Sequence, residues 1–296
     1  MINLITVVYQ KEIPYLEIQA RSIAQYFHPF TISTITVVIN DSKDVHGLID
    51  PSWYGNLQGK LKVLHISELT DLPLTHNWDS QQLCKLLAAK QTNTKWSMIL
   101  DAKTWFIRPV NTAEFITNNQ QKVYTNTVPF SSYFSTEKAF VQDWFNVDFN
   151  DRMLGPGGVP FFVHTKTLQN MIEYLEKYTG GRFDQFFNVH VANPHRITEF
   201  ILYAGYVLYE HKSYDAIYNI QDKLEYQVYN VADWQANHFN EILAQCQENS
   251  TALTFSVHRR AYQLLSEEQK IRCLEFLYNR KLINSVENTK IRLNTI

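Results

Sequence analysis

The stretch WSMILDAKTWFIRP, residues 96–109, carries the strongest indication of the fold. Residues 96–100 are apolar apart from Ser97 and predict a buried strand, and Asp101 follows this strand directly. A carboxylate at the carboxyl end of a buried parallel strand can bind a divalent cation or a ribose hydroxyl. The same residue can also serve as a simple turn or cap, and both interpretations stay open at this point.

Upstream of this stretch, strand and helix patterns alternate. Helical periodicity predicts helices at 14–27 and 80–90, and continuous β-forming runs predict strands at 3–9, 34–39 and 61–66. The resulting order β-α-β-β-α-β predicts an α/β fold with a mostly parallel central sheet flanked by helices. Ligands bind such sheets at the carboxyl ends of the strands, so Tyr9 and Asp41 join Asp101 as candidate binding residues.

The second half of the chain is less regular. It contains predicted strands at 123–127 and 251–257, a glycine-rich turn at 154–160 that leads into a short apolar strand, and predicted helices at 166–178, 197–210 and 267–279. No repeat, low-complexity tract or Pro/Gly/Ser-rich linker interrupts the sequence. We therefore predict one domain over residues 1–296.

The composition excludes several classes of protein. The 296 residues include 27 Lys+Arg and 29 Asp+Glu, with a net charge of −2, so nothing indicates general nucleic-acid binding. No stretch approaches the roughly 18 apolar residues that span a bilayer, and the N-terminus lacks a signal peptide pattern. Three widely separated cysteines favour neither disulfides nor a zinc site. These features predict a cytoplasmic protein without a membrane span.

A glycine pair and a helix start provide candidates in the second half. Gly157 and Gly158 precede a short apolar strand and would let a ligand approach backbone N–H groups closely, although a tight loop is the alternative. Glu199 begins a helix that is otherwise almost entirely apolar and aromatic. Its carboxylate either interacts with the helix dipole or acts as a general base toward an acceptor hydroxyl.

Basic and polar side chains complete the set of candidates. His258 ends the last predicted strand, and Arg259 follows it with a guanidinium suited to phosphate. Gln81 and Lys85 are four residues apart and share one helix face, which either faces solvent or contacts a ligand. The sequence contains no Walker A, Gly-x-Ser-x-Gly or zinc-ligand pattern, which argues against P-loop kinases, α/β-hydrolases and zinc enzymes.

In their order and spacing, these segments resemble the GT-A glycosyltransferases, which use sugar nucleotides. In that family a central strand ends in Asp-x-Asp, often followed by an aromatic residue and Arg-Pro. More closely, the chain resembles a group of bacterial and phage GT-A-like proteins with a degenerate Asp-x-Asp motif, a Gly-Gly strand, a Glu-bearing helix and a late strand ending in His. The matching segments are Asp101 with 106–109, Gly157-Gly158, 198–203 and 256–260.

The resemblance implies a nucleotide-binding half at 1–110, an acceptor and sugar half at 111–265, and a C-terminal helix and tail at 266–296. It implies a nucleoside-diphosphate sugar as donor and a hydroxyl-bearing acceptor such as a glycan or a lipid-linked glycan. Asp101 and Glu199 are the expected catalytic residues. The expected donor-binding residues are Tyr9, Asp41, Gln81, Lys85, Lys103, Gly157, Gly158, His258 and Arg259.

The sequence departs from the family pattern at Lys103, which occupies the position of the second acidic residue. Two hypotheses follow. Either Asp101 and His258 hold Mn²⁺ or Mg²⁺ together with phosphate oxygens and water, or no metal is used and Lys103 neutralises the diphosphate as a point charge.

Two other functions are alternatives to sugar transfer. A cation at the second acidic position also suits a GT-A-shaped binding or assembly module without catalysis. A nucleotidyltransferase on a similar sheet is less favoured, because residues 10–13 do not form the glycine-rich basic loop that it would need after the first strand.

Overall fold

The computed structural model describes residues 1–43, 45–73, 77–110, 122–155, 159–191, 196–220, 225–228, 236–250 and 252–294. Within these ranges, none of the helices combines the length and the apolar character that crossing a bilayer requires. The predicted Gly157-Gly158 turn lies outside the described residues.

Strands and helices alternate through the first third of the chain and are mixed thereafter. The strands are β1 (Ile2–Val8), β2 (Ile32–Ile39), β3 (Leu61–His65), β4 (Trp96–Asp101), β5 (Thr104–Phe106), β6 (Val123–Thr125), β7 (Thr127–Pro129), β8 (Arg152–Leu154), β9 (Phe161–His164), β10 (Tyr218–Ile220), β11 (Glu225–Val228) and β12 (Thr254–Val257). The α-helices are α1 (Ile13–Tyr26), α2 (Trp78–Lys90), α3 (Ser135–Phe145), α4 (Thr165–Thr179), α5 (Phe183–Val191), α6 (Glu199–His211), α7 (Ala236–Glu248), α8 (Arg259–Leu264), α9 (Glu267–Asn279) and α10 (Val286–Asn294).

The central sheet confirms the predicted α/β fold. In the described part of the chain, its strand order is β3-β2-β1-β4-β9. β1 pairs in parallel with β2 and β4, β2 pairs in parallel with β3, and β9 runs antiparallel to β4 at one edge. Every residue of β1 is buried, which explains why its residues are mostly apolar, with only Asn3 and Thr6 polar, and do not alternate between apolar and polar.

The register of the sheet brings the predicted strand ends together. Val7 of β1 lies opposite Asp101 of β4, and Val8 lies opposite Ile39 of β2. The carboxyl ends of these three strands therefore meet at one edge of the sheet.

A second sheet adds the late strand to this edge. Here β12 lies between β11 and β5, and Ser256 of β12 is antiparallel to Thr104 of β5. This pairing brings the start of α8 close to the segment that follows β4. His258 thereby comes within the electrostatic range of Lys103, although 155 positions separate them in the sequence.

Caps explain where two predicted helices begin. The helix predicted at 80–90 starts at Trp78, because the Asn77 side chain accepts hydrogen bonds from the N–H groups of Asp79 and Ser80. The helix predicted at 197–210 starts at Glu199, because Thr198 Oγ1 accepts a hydrogen bond from Ile201 N–H.

Other predictions were incomplete in the second half. The strand predicted at 123–127 is two short strands, β6 and β7, which pair with β10 and β8 respectively. The strand predicted from residue 251 begins at Thr254. Helix α3 was not predicted, because its aromatic and polar residues lack a clear periodicity; only three of its side chains, Glu137, Val141 and Phe145, are buried.

Candidate active site

A cleft of about 570 Å³ opens at the carboxyl edge of the central sheet. Its volume lies in the range that ligand sites of small molecules usually have. Both polar or charged side chains and apolar side chains line it. The polar and charged ones are Tyr9, Glu12, Asn40, Asn77, Gln81, Lys85, Asp101, Lys103, Thr198, Glu199, His258, Arg259 and Arg260, and the apolar ones are Trp78, Phe134, Met153, Val159, Phe200 and Ile201.

Asp101 lies at the centre of a buried charge network. Its Oδ1 is 3.1 Å from Lys85 Nζ, and its Oδ2 is 2.9 Å from Lys103 Nζ. Lys85 Nζ also donates a hydrogen bond of 3.0 Å to Glu199 Oε1. Two ammonium groups and two carboxylates therefore alternate in space, a pattern that lets each charge offset the desolvation of its neighbour.

Two helices, α2 and α6, hold Lys85 and Glu199 in place. Lys85 projects from α2, which is buried almost all round, and is 4% exposed. Glu199 is the first residue of α6, and its N–H donates a hydrogen bond of 3.1 Å to Gln82 Oε1. A carboxylate at this helix end is also favoured by the helix dipole.

A buried glutamine fixes the segment that carries Lys103. Gln19 of α1 donates from Nε2 to the backbone carbonyls of Asp101, at 2.6 Å, and Thr104, at 3.1 Å. Its Oε1 accepts a hydrogen bond of 2.8 Å from Thr6 Oγ1. Because Gln19 is fully buried, the turn between β4 and β5 is fixed by hydrogen bonds to a residue of the core.

Neighbouring charges outweigh burial in setting the pKa values of Asp101, Lys85 and Lys103. Burial alone would raise the pKa of Asp101, but the ammonium groups of Lys103 and Lys85 hold this pKa well below its usual range. Burial would likewise lower the pKa of Lys85, but Asp101 and Glu199 raise it. The pKa of Lys103 is raised by Asp101 and Glu12 against the opposing effect of burial.

Glu12 differs from the other carboxylates in the cleft. It lies in the short turn between β1 and α1 and is 7% exposed. Its Oε2 is buried and has no hydrogen-bond partner among the residues that the structure describes. Burial raises the pKa of Glu12 to about 7, although the nearby Lys103 opposes this shift.

His258 and Arg259 line the cleft at the start of α8. His258 Nδ1 accepts a hydrogen bond of 3.3 Å from Arg260 N–H, and burial, together with the charge on Lys103, lowers the pKa of His258 to about 4. The guanidinium of Arg259 is 5.9 Å from the centre of the Tyr9 ring. The start of α8 therefore presents a neutral imidazole and cationic guanidinium groups to the cleft.

Asn40, the residue that directly follows β2, lines the cleft. Asn40 Oδ1 accepts a hydrogen bond from Ser80 Oγ at 3.0 Å, and its Nδ2 donates to the carbonyl of Asn77. The neighbouring Asp41, a predicted donor-binding residue, is not among the cleft-lining residues in the described part of the chain. Its Oδ2 instead accepts a hydrogen bond of 2.9 Å from Gln10 N–H.

The structure brings most of the predicted site residues to one place. Eight of them line the cleft: Tyr9, Gln81, Lys85, Asp101, Lys103, Glu199, His258 and Arg259. Gly157 and Gly158 lie outside the described residues. Asn40, beside the predicted Asp41, and Arg260, predicted with Arg259 as a phosphate partner, also line the cleft. Sequence reasoning missed Glu12 as a site residue. Glu12 had a usable signal, since it is an acidic residue three positions after Tyr9 at a strand end.

The side chains present do not fit a divalent cation. Both oxygens of Asp101 already contact ammonium groups, and Lys103 lies where a second acidic residue would supply a ligand. His258 uses Nδ1 to cap α8. Across the described ranges, no group of three or more His, Cys, Asp or Glu side chains is arranged to hold a metal ion. No chemical step is therefore derived through a metal.

Comparison with known proteins places this geometry in context. A family model described as "Family of unknown function (DUF6492)" matches residues 2–260. A search of curated proteins found no significant match. Similar solved structures include the bifunctional glycosyltransferase WbbM in its apo form, with 10% identity and a TM-score of 0.55, and the galactosyltransferase LgtC with donor and acceptor sugar analogues, with 11% identity and a TM-score of 0.52.

The extent of these matches differs. Both matches cover 98% of this chain. The first covers 51% of the WbbM chain, and the second covers 100% of the LgtC chain. The chain thus spans about half the length of WbbM. At this level of identity the likeness establishes the fold, which is the GT-A-like α/β fold predicted from the sequence.

Proposed function

We infer that this chain, which belongs to DUF6492, a family of unknown function, transfers a sugar from a nucleoside-diphosphate sugar to a hydroxyl group of an acceptor. One observation carries the proposal. In a GT-A-like fold, Asp101 holds the ammonium groups of Lys85 and Lys103 at the carboxyl edge of the sheet, where ligands bind.

The chemical demand of the reaction suits this arrangement. When the bond between the sugar and the diphosphate breaks, its electron pair leaves with the diphosphate, which gains negative charge. Fixed cations near that charge lower the barrier, because they need no reorganisation during the reaction. Lys103 and Arg259 are the proposed partners of the leaving group, and Lys85 keeps Asp101 and Glu199 in place.

Glu199 is the proposed general base. The acceptor oxygen forms the new bond to the sugar carbon, and its proton passes to the Glu199 carboxylate. Lys85 contacts Oε1 of this carboxylate, so Oε2 is the proposed proton acceptor. Asp101, which touches two cations, is a positioning residue in this scheme rather than a metal ligand.

The nucleoside is assigned to the wall formed by Tyr9, Asn40 and Gln81. Gln81 Nε2 donates a hydrogen bond of 3.3 Å to the carbonyl of Val7, which keeps the amide at the end of β1. Gly157 and Gly158 stay candidates for the sugar side because of the family resemblance. The apolar side chains of the cleft, among them Trp78 and Phe134, are the proposed contacts of the acceptor.

The proposal is tested with the purified full chain. A panel of UDP-, GDP- and dTDP-sugars is incubated with simple glycoside acceptors in the presence of EDTA, and release of nucleoside diphosphate is measured. Asp101→Ala is expected to abolish release while the circular dichroism spectrum stays unchanged. Asp143→Ala, which removes an exposed carboxylate of α3, is the matched control. Asp101→Ala activity within twofold of wild type would contradict the assignment.

A second candidate function is a donor-binding module without catalysis. The ion pair between Lys85 and Glu199 favours it, because this pair occupies one of the two carboxylate oxygens that a general base would use. This alternative predicts that sugar nucleotides bind but that neither transfer nor hydrolysis occurs with any acceptor.

A further inference from the structure

The proposed chemistry leaves one buried carboxylate of the cleft without a role. We propose that Glu12 couples donor binding to proton uptake: it becomes protonated when the diphosphate of the donor engages Lys103, so the site binds its donor together with a proton. This inference rests on the proposed function, since it requires an anionic diphosphate at Lys103.

The position of Glu12 supports the coupling. The turn that carries it follows β1 directly, and Val7 of β1 is paired with Asp101 of β4. Glu12 is therefore next to the segment that carries Asp101 and Lys103, and it lines the same cleft. An unpartnered carboxylate oxygen in such a place is costly, since a buried polar group normally has a hydrogen-bond partner.

The charges that face Glu12 come from every element around it. Its own segment contributes Tyr9, and α1 contributes Tyr15. The segment at the end of β4 contributes Asp101 and Lys103, α2 contributes Lys85, and α8 contributes Arg259. Two of the cations among them, Lys103 and Arg259, are also the proposed partners of the diphosphate.

The competition for these cations drives the coupling. A diphosphate at Lys103 and Arg259 brings two negative charges next to Glu12. It also offsets the positive charge of these two residues, which stabilises the carboxylate form of Glu12 in the ligand-free protein. Like charges in a buried site are not both accommodated, so one of them is neutralised by a proton. The diphosphate of a sugar nucleotide is a diester and stays ionised near neutral pH, which leaves the proton to Glu12.

The neighbouring groups do not titrate in the relevant range. The pKa of Glu12 is raised to about 7, chiefly by burial. Burial raises the pKa of Tyr9 above 10, while the pKa of Asp101 is lowered by Lys103 and Lys85 and that of His258 is lowered to about 4. Of these four groups, Glu12 is the one whose pKa lies between 6 and 8 in the ligand-free protein, so it is the proposed site of a proton taken up in this range.

The coupling has a measurable size. If Glu12 is fully protonated in the complex, the apparent Kd rises about tenfold from pH 6 to pH 8. At pH 7 the complex takes up roughly half a proton per bound ligand. Glu12→Gln imitates the protonated carboxyl group, so the affinity of this variant should stay at the wild-type pH 6 level throughout.

Calorimetry of the full chain tests these expectations. UDP-glucose, GDP-mannose and dTDP-glucose are titrated at pH 6 and 8, and at pH 7 in two buffers of different ionisation enthalpy, which gives proton uptake directly on the wild-type protein. Glu12→Gln is expected to remove both the pH dependence and the proton uptake. Glu173→Gln, on the exposed face of α4, is the matched control.

The outcomes separate the two proposals. Binding that is equal at pH 6 and pH 8, with no proton uptake, overturns the coupling and leaves the proposed function standing. Unchanged proton uptake in a folded Glu12→Gln protein also overturns it. If none of the three sugar nucleotides binds at either pH, the proposed function fails and the coupling fails with it.

Discussion

At the scale of single residues, the site depends on what surrounds Asp101. An aspartate after a buried strand is compatible with metal binding, with ribose binding and with a plain turn. Here it contacts an ammonium group on each oxygen, so its charge is used to hold cations. We therefore expect Lys103, and not Asp101, to contact the donor. The Lys103 side chain is 12% exposed and lines the cleft.

Lys103→Ala tests this expectation. We expect the Kd for a sugar nucleotide to rise roughly tenfold to a hundredfold, as for loss of a charge-assisted hydrogen bond. Wild-type binding should also weaken as salt is increased, because salt screens the attraction that draws the anionic donor to the cations of the open cleft. Lys62→Ala removes an exposed lysine from β3 and should have no effect.

Lys103→Asp is the sharper variant. It restores the Asp-x-Asp spacing and replaces one cation of the cleft by a carboxylate. We expect its binding of sugar nucleotides to require Mn²⁺ or Mg²⁺. Equal affinities for wild type, Lys103→Ala and Lys103→Asp, with and without Mn²⁺, would show that Lys103 has no part in binding.

Glu199→Gln tests the general base. The substitution keeps the size of the side chain and its hydrogen bonds but removes the proton acceptor. We expect kcat to fall by roughly 10²–10⁴-fold, with donor Kd changed little. A normal kcat with weaker acceptor binding would make Glu199 a binding residue instead.

At the scale of elements, the placement of Glu199 depends on how α6 packs. Gly205 lets α6 approach α3 closely: a Cβ at this position would overlap Val141 Cγ1 and would lie 3.3 Å from Phe145 Cδ2. The glycine therefore has a packing reason, although it costs helix propensity. Helix α6 also contacts α2, and the ion pair between Lys85 and Glu199 joins these two helices.

Gly205→Ala should consequently destabilise the protein. The gain in helix propensity is about 1 kcal/mol, but overpacking against α3 costs roughly 1–3 kcal/mol. We expect a lower urea midpoint and weaker activity, since Glu199 lies on the same helix. Gly47→Ala, where no atom lies within 4 Å of the new Cβ, is the control. A higher midpoint for Gly205→Ala would contradict this packing argument.

At the scale of the whole molecule, two sheets build one cleft. The central sheet supplies Tyr9, Asn40 and Asp101, and the smaller sheet that contains β5 and β12 leads to His258 and Arg259. Ligand binding should therefore stabilise the entire fold rather than one segment.

A thermal shift measures this stabilisation. At a concentration of 100 times Kd, a sugar nucleotide should add about 2.7 kcal/mol of stability, which corresponds to a rise in Tm of roughly 4 °C for a chain of this length. The rise should be the same in EDTA and in Mn²⁺, because the site charges are supplied by lysine and arginine. A shift that occurs only with Mn²⁺ would show that a metal completes the site.

The sequence by itself determined the order of the elements in the first third and indicated eight of the residues that line the cleft. Long apolar runs such as β1 and the run that ends in Asp101 are local signals, because burial of both sheet faces leaves few polar positions. Strand ends could then be located to within about two residues. Since the carboxyl ends of parallel strands share an edge, Tyr9 and Asp101 were expected to be close.

Only the tertiary structure decided what these residues do together. The contact of Lys85 with Asp101 and Glu199 joins α2, β4 and α6, which are separated by up to 114 positions, and no local pattern records it. The same holds for Glu12, whose role follows from its burial without a partner beside Lys103. Charge, pKa and ligand access depend on distance in space and on desolvation, and both arise only when segments remote in sequence pack against each other.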